Sequence, residues 1–205
     1  MERVVQQTAQ QRKIHPHKFA LWMGMGSIAM MFAGLTSAYI VRKGEPNWRH
    51  FNLPIIFWIS TAVILLSSIT IFMGIKAFKN REMPKFRVLI TITLILGILF
   101  GVLQFVGFYQ LYHQMQVVRI DDQVLNTLAT VRVDGNPSGS FLFIIAGLHL
   151  LHILGGIIAL LIVFFRAFRT RVKVYNATGL EVVASYWHFV DILWIYLFVF
   201  FLANQ

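Results

Sequence analysis

The chain has 205 residues, of which 58% are hydrophobic and only 13% charged, with a formal net charge of +10 and a mean hydropathy of +0.69. Hydropathy this high excludes an ordinary soluble domain. The absence of cysteine excludes disulfides, thiolate metal sites, iron–sulfur clusters and covalently attached haem.

Residues 1–18 are polar and basic and lead directly into an apolar stretch of full membrane-spanning length. A secretory signal has a short apolar core and a small-residue cleavage site, so this segment reads instead as a cytoplasmic extension before a membrane domain at 19–205. Five stretches are long and apolar enough to be transmembrane helices: about 19–41, 54–75, 88–112, 139–165 and 182–202. The expected fold class is therefore all-α, a polytopic membrane protein of one domain without internal repeats. Arg42–Leu53, with Gly44, Pro46 and Trp48, reads as a short turn at the membrane interface. In Lys76–Arg87, Pro84 is expected to open the third helix. His113–Ser138 reads as a long external loop. The run Asp134-Gly135-Asn136-Pro137 is a strong turn signal there, and Val124–Val133 is a candidate hairpin. Glycines at 24, 26, 97, 101, 147, 155 and 156 suit close packing of helices within a bundle.

The positive charge is a topology signal rather than a nucleic-acid footprint. Of the 18 Lys and Arg, 13 lie in 1–18, 76–87 and 166–181, and the other 5 lie in the alternate connections. Basic residues accumulate on the cytoplasmic side of membrane proteins, so the N-terminus is expected inside and the C-terminus outside.

Among the polar residues inside the spans, five stand out: Gln104 in the third, His149 and His152 in the fourth, and His188 and Asp191 in the fifth. Ionisable groups at such depth are costly and face protein or a cavity rather than lipid. His149 and His152 are three apart and share a helix face, as do His188 and Asp191. Trp187 and Trp194 flank the second pair, marking a face that meets another helix or subunit. Asp191 is the one carboxylate well inside a span, and it is expected to pair with His188 or with a group on a neighbouring helix. Three imidazoles and a carboxylate suit a metal or haem in principle. However, at 1.5 Å per residue His152 lies about 20 Å and His188 about 9 Å from the cytoplasmic ends of their helices, too far apart in depth for one shared metal. Interhelical hydrogen bonding is the better reading. A free-standing transporter with a His188–Asp191 proton site would call for inverted repeats or broken helices, and neither pattern is present.

The last span with its lead-in reads Gly179-Leu-Glu181, then Tyr186-Trp-His-Phe-Val-Asp191-Ile-Leu-Trp194. It resembles the signature helix of the haem-copper oxidase subunit III family. The resemblance continues in Gly147-Leu-His149-Leu-Leu-His152-Ile-Leu-Gly155-Gly156, in Phe164-Phe165-Arg166, and in Gly97, Phe100 and Gln104. It also covers Thr61, Leu65, Leu66, Ser67 and Ser68, and on the first span Ser27 with Met30-Met31-Phe32-Ala33-Gly34. It extends over about residues 19–202 and matches the shorter, five-helix bacterial form.

The resemblance implies an accessory subunit that carries no catalytic residue and holds no haem or copper of its own. Those cofactors would belong to partner subunits, the catalytic subunit I with subunit II beside it, in a proton-pumping terminal oxidase of the bacterial cytoplasmic membrane. It further implies bound phospholipid, with Arg166 as the phosphate contact, and a structural polar motif of Gln104, His149, His152, Glu181, Trp187, His188 and Asp191. The equivalent subunit of a quinol-oxidising enzyme fits the same residues. Two carboxylates of the family pattern are missing, their positions being occupied by Ile28 and Gly107.

Overall fold

A computed structural model describes residues 16–44, 53–129, 137–169 and 178–204. Its regular structure is helical throughout: α1 (Pro16–Arg42), α2 (Ile56–Lys79), α3 (Met83–Ala129), α4 (Pro137–Phe168) and α5 (Thr178–Ala203). Each contains a stretch of 24 to 29 residues long and apolar enough to cross a membrane. In hydrocarbon every backbone N–H and C=O has to be satisfied within the protein, which a helix does unaided. The five expected spans are thus present, and their ends lie within a few residues of those read from hydropathy.

Helix boundaries follow local chemistry. Pro16 and Pro137 open α1 and α4, and Pro84 is the second residue of α3, where a missing N–H costs nothing. Between α2 and α3, Arg81 takes a left-handed conformation with φ of 60°. The Glu82 amide then donates to Ala77 O at 3.0 Å and the Arg81 amide to Phe78 O at 3.1 Å. This is the Schellman arrangement, which satisfies carbonyls that the helix end would otherwise leave open.

α2 and α3 form an antiparallel hairpin; α4 packs on α3, and α5 packs on both α2 and α4. α1 lies against α4 and α5 and does not pack on α2. α5 is the central element. In its most apolar stretch 44% of residues are buried within the chain, against 17% in α1. One apolar core joins α2–α5 around Phe57, Ile64, Phe100, Leu160, Trp187 and Trp194. A second joins α1 to α4 and α5 through Phe32, Tyr39, Leu142, Ile145, Leu193 and Leu197, with Leu111 of α3 at its edge.

The expected loop over His113–Ser138 is corrected. α3 continues as helix to Ala129, about 27 Å past the end of its membrane-crossing stretch at Leu111. Residues 108–129 contain neither Gly nor Pro, so nothing in them stops the helix. The hairpin expected at Val124–Val133 is therefore excluded as far as Ala129, and its remaining residues lie outside the described ones, as do 134–136 and most of Arg42–Leu53.

Candidate functional site

The inward face of α5 is met by a row of hydroxyls on α2. The indole N–H of Trp187 donates to Ser67 Oγ at 3.1 Å, and that of Trp194 to Thr61 Oγ1 at 3.0 Å. His188 Nδ1 and Ser68 Oγ are hydrogen-bonded at 2.5 Å. From α3, Gln104 Nε2 donates to Ser60 Oγ at 2.9 Å. The two indole pairs step along the helices in opposite directions, 61 with 194 and 67 with 187, as an antiparallel packing requires, and His188 takes the neighbouring hydroxyl of Ser68. Serine and threonine suit this row because they also return a bond to their own helix. Ser60 Oγ and Thr61 Oγ1 both donate to Phe57 O, at 3.0 and 2.7 Å. Hydrogen bonds between membrane helices contribute about 0.6 to 2 kcal/mol each, and here they select the rotation of α5 against α2.

Trp187 sits where four helices converge. A Cβ placed on Gly97 of α3 would lie 2.7 Å from Trp187 Cη2, and one on Gly156 of α4 would lie 2.9 Å from Trp187 Cε3. The two glycines are therefore the seat of an indole ring rather than places where helix backbones meet. Gly101 makes only an ordinary contact with Ile157, and Gly155 lies near the Tyr186 hydroxyl. Gly24, Gly26 and Gly147 have nothing within 4 Å of an added Cβ, so the close packing expected at these three does not occur among the described residues.

His149 and His152 go separate ways. His149 is fully buried and stacks on Trp194, with ring centroids 5.4 Å apart and planes at 22°. His152 Nδ1 is bonded to Leu148 O at 2.7 Å, and its ring meets the edge of Phe32 on α1. His188 is bonded instead to Ser68 of α2. Among the described residues, no group of three or more His, Asp or Glu is placed to share a metal.

The expected His188–Asp191 pair is not formed. His188 is engaged by Ser68, while both Asp191 oxygens lack a hydrogen bond among the described residues. Asp191 is only 2% exposed. Ser68 lies alongside its carboxyl group but short of hydrogen-bond geometry. An i, i+3 spacing places two residues on one face, but the nearer hydroxyl of α2 captures the imidazole.

Ionic contacts tie the helix ends on one side of the bundle. Glu181, in the first turn of α5, accepts from Lys18 of α1 at 2.7 Å and from Lys79 of α2 at 2.8 Å. It thereby links two helices that do not otherwise pack together. Arg87 of α3 donates from Nε to Ala167 O of α4 at 3.0 Å and lies over the Phe168 ring. Arg166 is exposed at this same end of α4. At the opposite end, Lys43 Nζ donates to Asn204 Oδ1 at 3.1 Å, and Tyr196 pairs with Thr36 at 2.8 Å.

The α2 hydroxyls, the glycine seat and the two lysines on Glu181 were not legible as a set in the sequence. The available signal was spacing: Trp187 and Trp194 are seven apart and their acceptors Ser67 and Thr61 six apart, each close to two helical turns.

Fold and interior together define a class, the multi-helix membrane bundle whose signature residues are consumed in joining helices. Comparison with known proteins places it further. Residues 47–203 match the family model for cytochrome c oxidase subunit III. The chain is 32% identical over 184 residues to the probable cytochrome c oxidase subunit 3 of Nocardia farcinica, covering 87% of this chain and 82% of that one. It is 30% identical over 178 residues to cytochrome c oxidase subunit 3 of Corynebacterium diphtheriae, covering 83% and 79%. To the subunit 3 of Bacillus sp. strain PS3 it is 25% identical over 182 residues. This chain belongs to the cytochrome c oxidase subunit III family.

The two positions at which the resemblance implies carboxylates are set in apolar packing. A Cβ on Gly107 would lie 2.9 Å from both Phe57 ring atoms Cε1 and Cζ and from Ile56 Cγ2, so the space a glutamate needs is filled by α2. Ile28 packs against the apolar core that joins α1 to α4 and α5.

Proposed function

We propose that this chain is the accessory subunit III of a bacterial haem-copper terminal oxidase, stabilising the catalytic subunit I with subunit II in the same complex. The observation that carries this reading is the use made of the Trp-His-Phe-Val-Asp face of α5. Trp187, His188 and Trp194 are spent on hydrogen bonds to α2 and on packing between helices, which suits a scaffold whose haem and copper reside in its partners. Its contribution to oxygen reduction and proton pumping is then indirect: it holds subunit I in a stable membrane environment. No residue of this chain acts as a catalyst.

Under this reading the complex lies in the bacterial cytoplasmic membrane, with the basic segment 1–18 on the cytoplasmic side. Arg166, exposed at the basic end of α4, binds lipid phosphate there; a cation at a cytoplasmic helix end lies at the depth of anionic head groups.

The test is purification in mild detergent followed by a visible spectrum. The chain is expected to copurify with a much larger haem-bearing subunit and, separated from it, to show no Soret band. A Soret band in the isolated chain, lost on substituting His149 or His152, would overturn the proposal.

A further inference from the structure

Asp191 lies near the middle of α5, with 13 residues of the helix before it and 12 after it. At 1.5 Å per residue its backbone is about 20 Å from one end of the helix and about 18 Å from the other. The residue is 2% exposed, so neither a lipid head group nor a neighbouring subunit reaches its carboxyl group. Neither carboxyl oxygen has a hydrogen-bond partner among the described residues.

A carboxylate in such a place calls for a cation, and the surrounding helices bring none. α2 has no titratable side chain before Lys76, and α3 has none between Arg87 and Tyr109. The Lys and Arg of the described helices stand at helix ends or on α3 beyond Leu111. The titratable groups at depth are Tyr39 of α1, His149 and His152 of α4, and Tyr186, His188 and Tyr196 of α5 itself. None of them is hydrogen-bonded to Asp191. The three imidazoles are engaged elsewhere: His149 stacks on Trp194, His152 is bonded to Leu148 O, and His188 to Ser68. The polar group beside the carboxyl is the Ser68 hydroxyl.

We propose that Asp191 is a proton-binding site: in the folded chain it stands as a neutral carboxylic acid next to Ser68. A charge without a partner in an apolar interior is far costlier than a neutral polar group, and taking up a proton removes it. Ser68 cannot do the same work. A hydroxyl has a single proton to donate, and Ser68 Oγ already shares a hydrogen bond with His188 Nδ1 at 2.5 Å. An aspartate in water has lost its proton well below neutrality. The chain therefore takes up one proton when α5 packs into the bundle. The sign of the linkage follows: the folded state binds one proton more than the unfolded state, so this site favours folding less as pH rises above the ordinary aspartate range.

Infrared spectroscopy of the full chain in detergent at neutral pH tests this directly. A protonated carboxyl group has a carbonyl stretch set apart from the carboxylate and amide bands, and the band shifts in heavy water. Of the chain's eight acids the other seven lie in the first turn of α5, on α3 beyond Leu111, or outside the helices, so the background is low. The band is expected in wild type and is expected to be missing from Asp191→Asn. Unfolding in mixed detergent micelles gives a second measure. Between about pH 5.5 and 7, above the range where a free aspartate titrates, the unfolding constant of wild type is expected to rise relative to that of Asp191→Asn by about tenfold per pH unit. Histidines contribute equally to both proteins and cancel in the ratio. Absence of the band, or the same pH dependence in the two proteins, overturns the proposal. Should Asp191→Asn fail to fold, the wild-type spectrum alone decides.

Discussion

An alanine at Gly97 puts its methyl group 2.7 Å from Trp187 Cη2, and one at Gly156 puts it 2.9 Å from Cε3. The indole cannot yield easily, because its N–H is held by Ser67 and glycines flank it from two helices. Overpacking of this kind typically costs about 1–3 kcal/mol. Gly97→Ala and Gly156→Ala are therefore expected to lower the thermal midpoint of the detergent-solubilised protein. Gly24→Ala, which meets nothing within 4 Å, is expected to stay within about 0.5 kcal/mol of wild type. Equal midpoints for Gly24→Ala and Gly97→Ala would show that the ring is free to move. Asp191 gives a second contrast at this scale. Asp191→Asn keeps the shape and is expected to assemble nearly as wild type, whereas Asp191→Leu sets a branched apolar side chain beside the Ser68 hydroxyl and is expected to be depleted from the complex. The measurement is subunit content together with oxygen consumption per assembled complex. Full assembly of Asp191→Asn with abolished oxygen reduction would make Asp191 a working proton carrier instead.

At the scale of elements, α2 is the partner that orients α5. Ser67→Ala leaves the buried Trp187 N–H without its acceptor, and an unmet buried donor costs about 1–3 kcal/mol. Ser37→Ala, on an exposed position of α1, is the matched control and is expected to be close to neutral. Unfolding followed by tryptophan fluorescence reads the difference. The Glu181 clamp behaves differently. Its lysines are 41% and 55% exposed, and solvent-screened pairs contribute about 0–1 kcal/mol each. Glu181→Gln is thus expected to change global stability little, but to speed hydrogen exchange in the first turns of α1, the helix with the smallest share buried in the chain. Unaltered exchange there would show that the apolar core around Phe32 and Tyr39 holds α1 without help from the clamp.

For the whole molecule, five spans and a 13-to-5 division of Lys and Arg call for an N-terminus inside and a C-terminus outside. The chain has no cysteine, so single cysteines introduced near Met1 and Gln205 report on this cleanly. In intact cells an impermeant reagent is expected to label the second and not the first. The reverse pattern would invert the arrangement and place Arg166, Lys79 and Glu181 on the outer side.

The number and approximate limits of the membrane helices were legible in the sequence, because apolar length alone dictates them where no water can satisfy a peptide group. The inward-facing stripe of α5 was legible as well, since His188 and Asp191 among tryptophans have no tolerable place against lipid. Periodicity assigns a residue to a face of its own helix and says nothing of what stands opposite. The tertiary structure decided that His188 bonds to Ser68 and not to Asp191. It also made Gly97 and Gly156 the seat of Trp187, while Gly24 and Gly26 meet nothing among the described residues. The continuation of α3 past Leu111 was missed because hydropathy marks where a span leaves the membrane, not where a helix stops. Helices end where a breaker or a cap ends them, and residues 108–129 supply no Gly or Pro to do so.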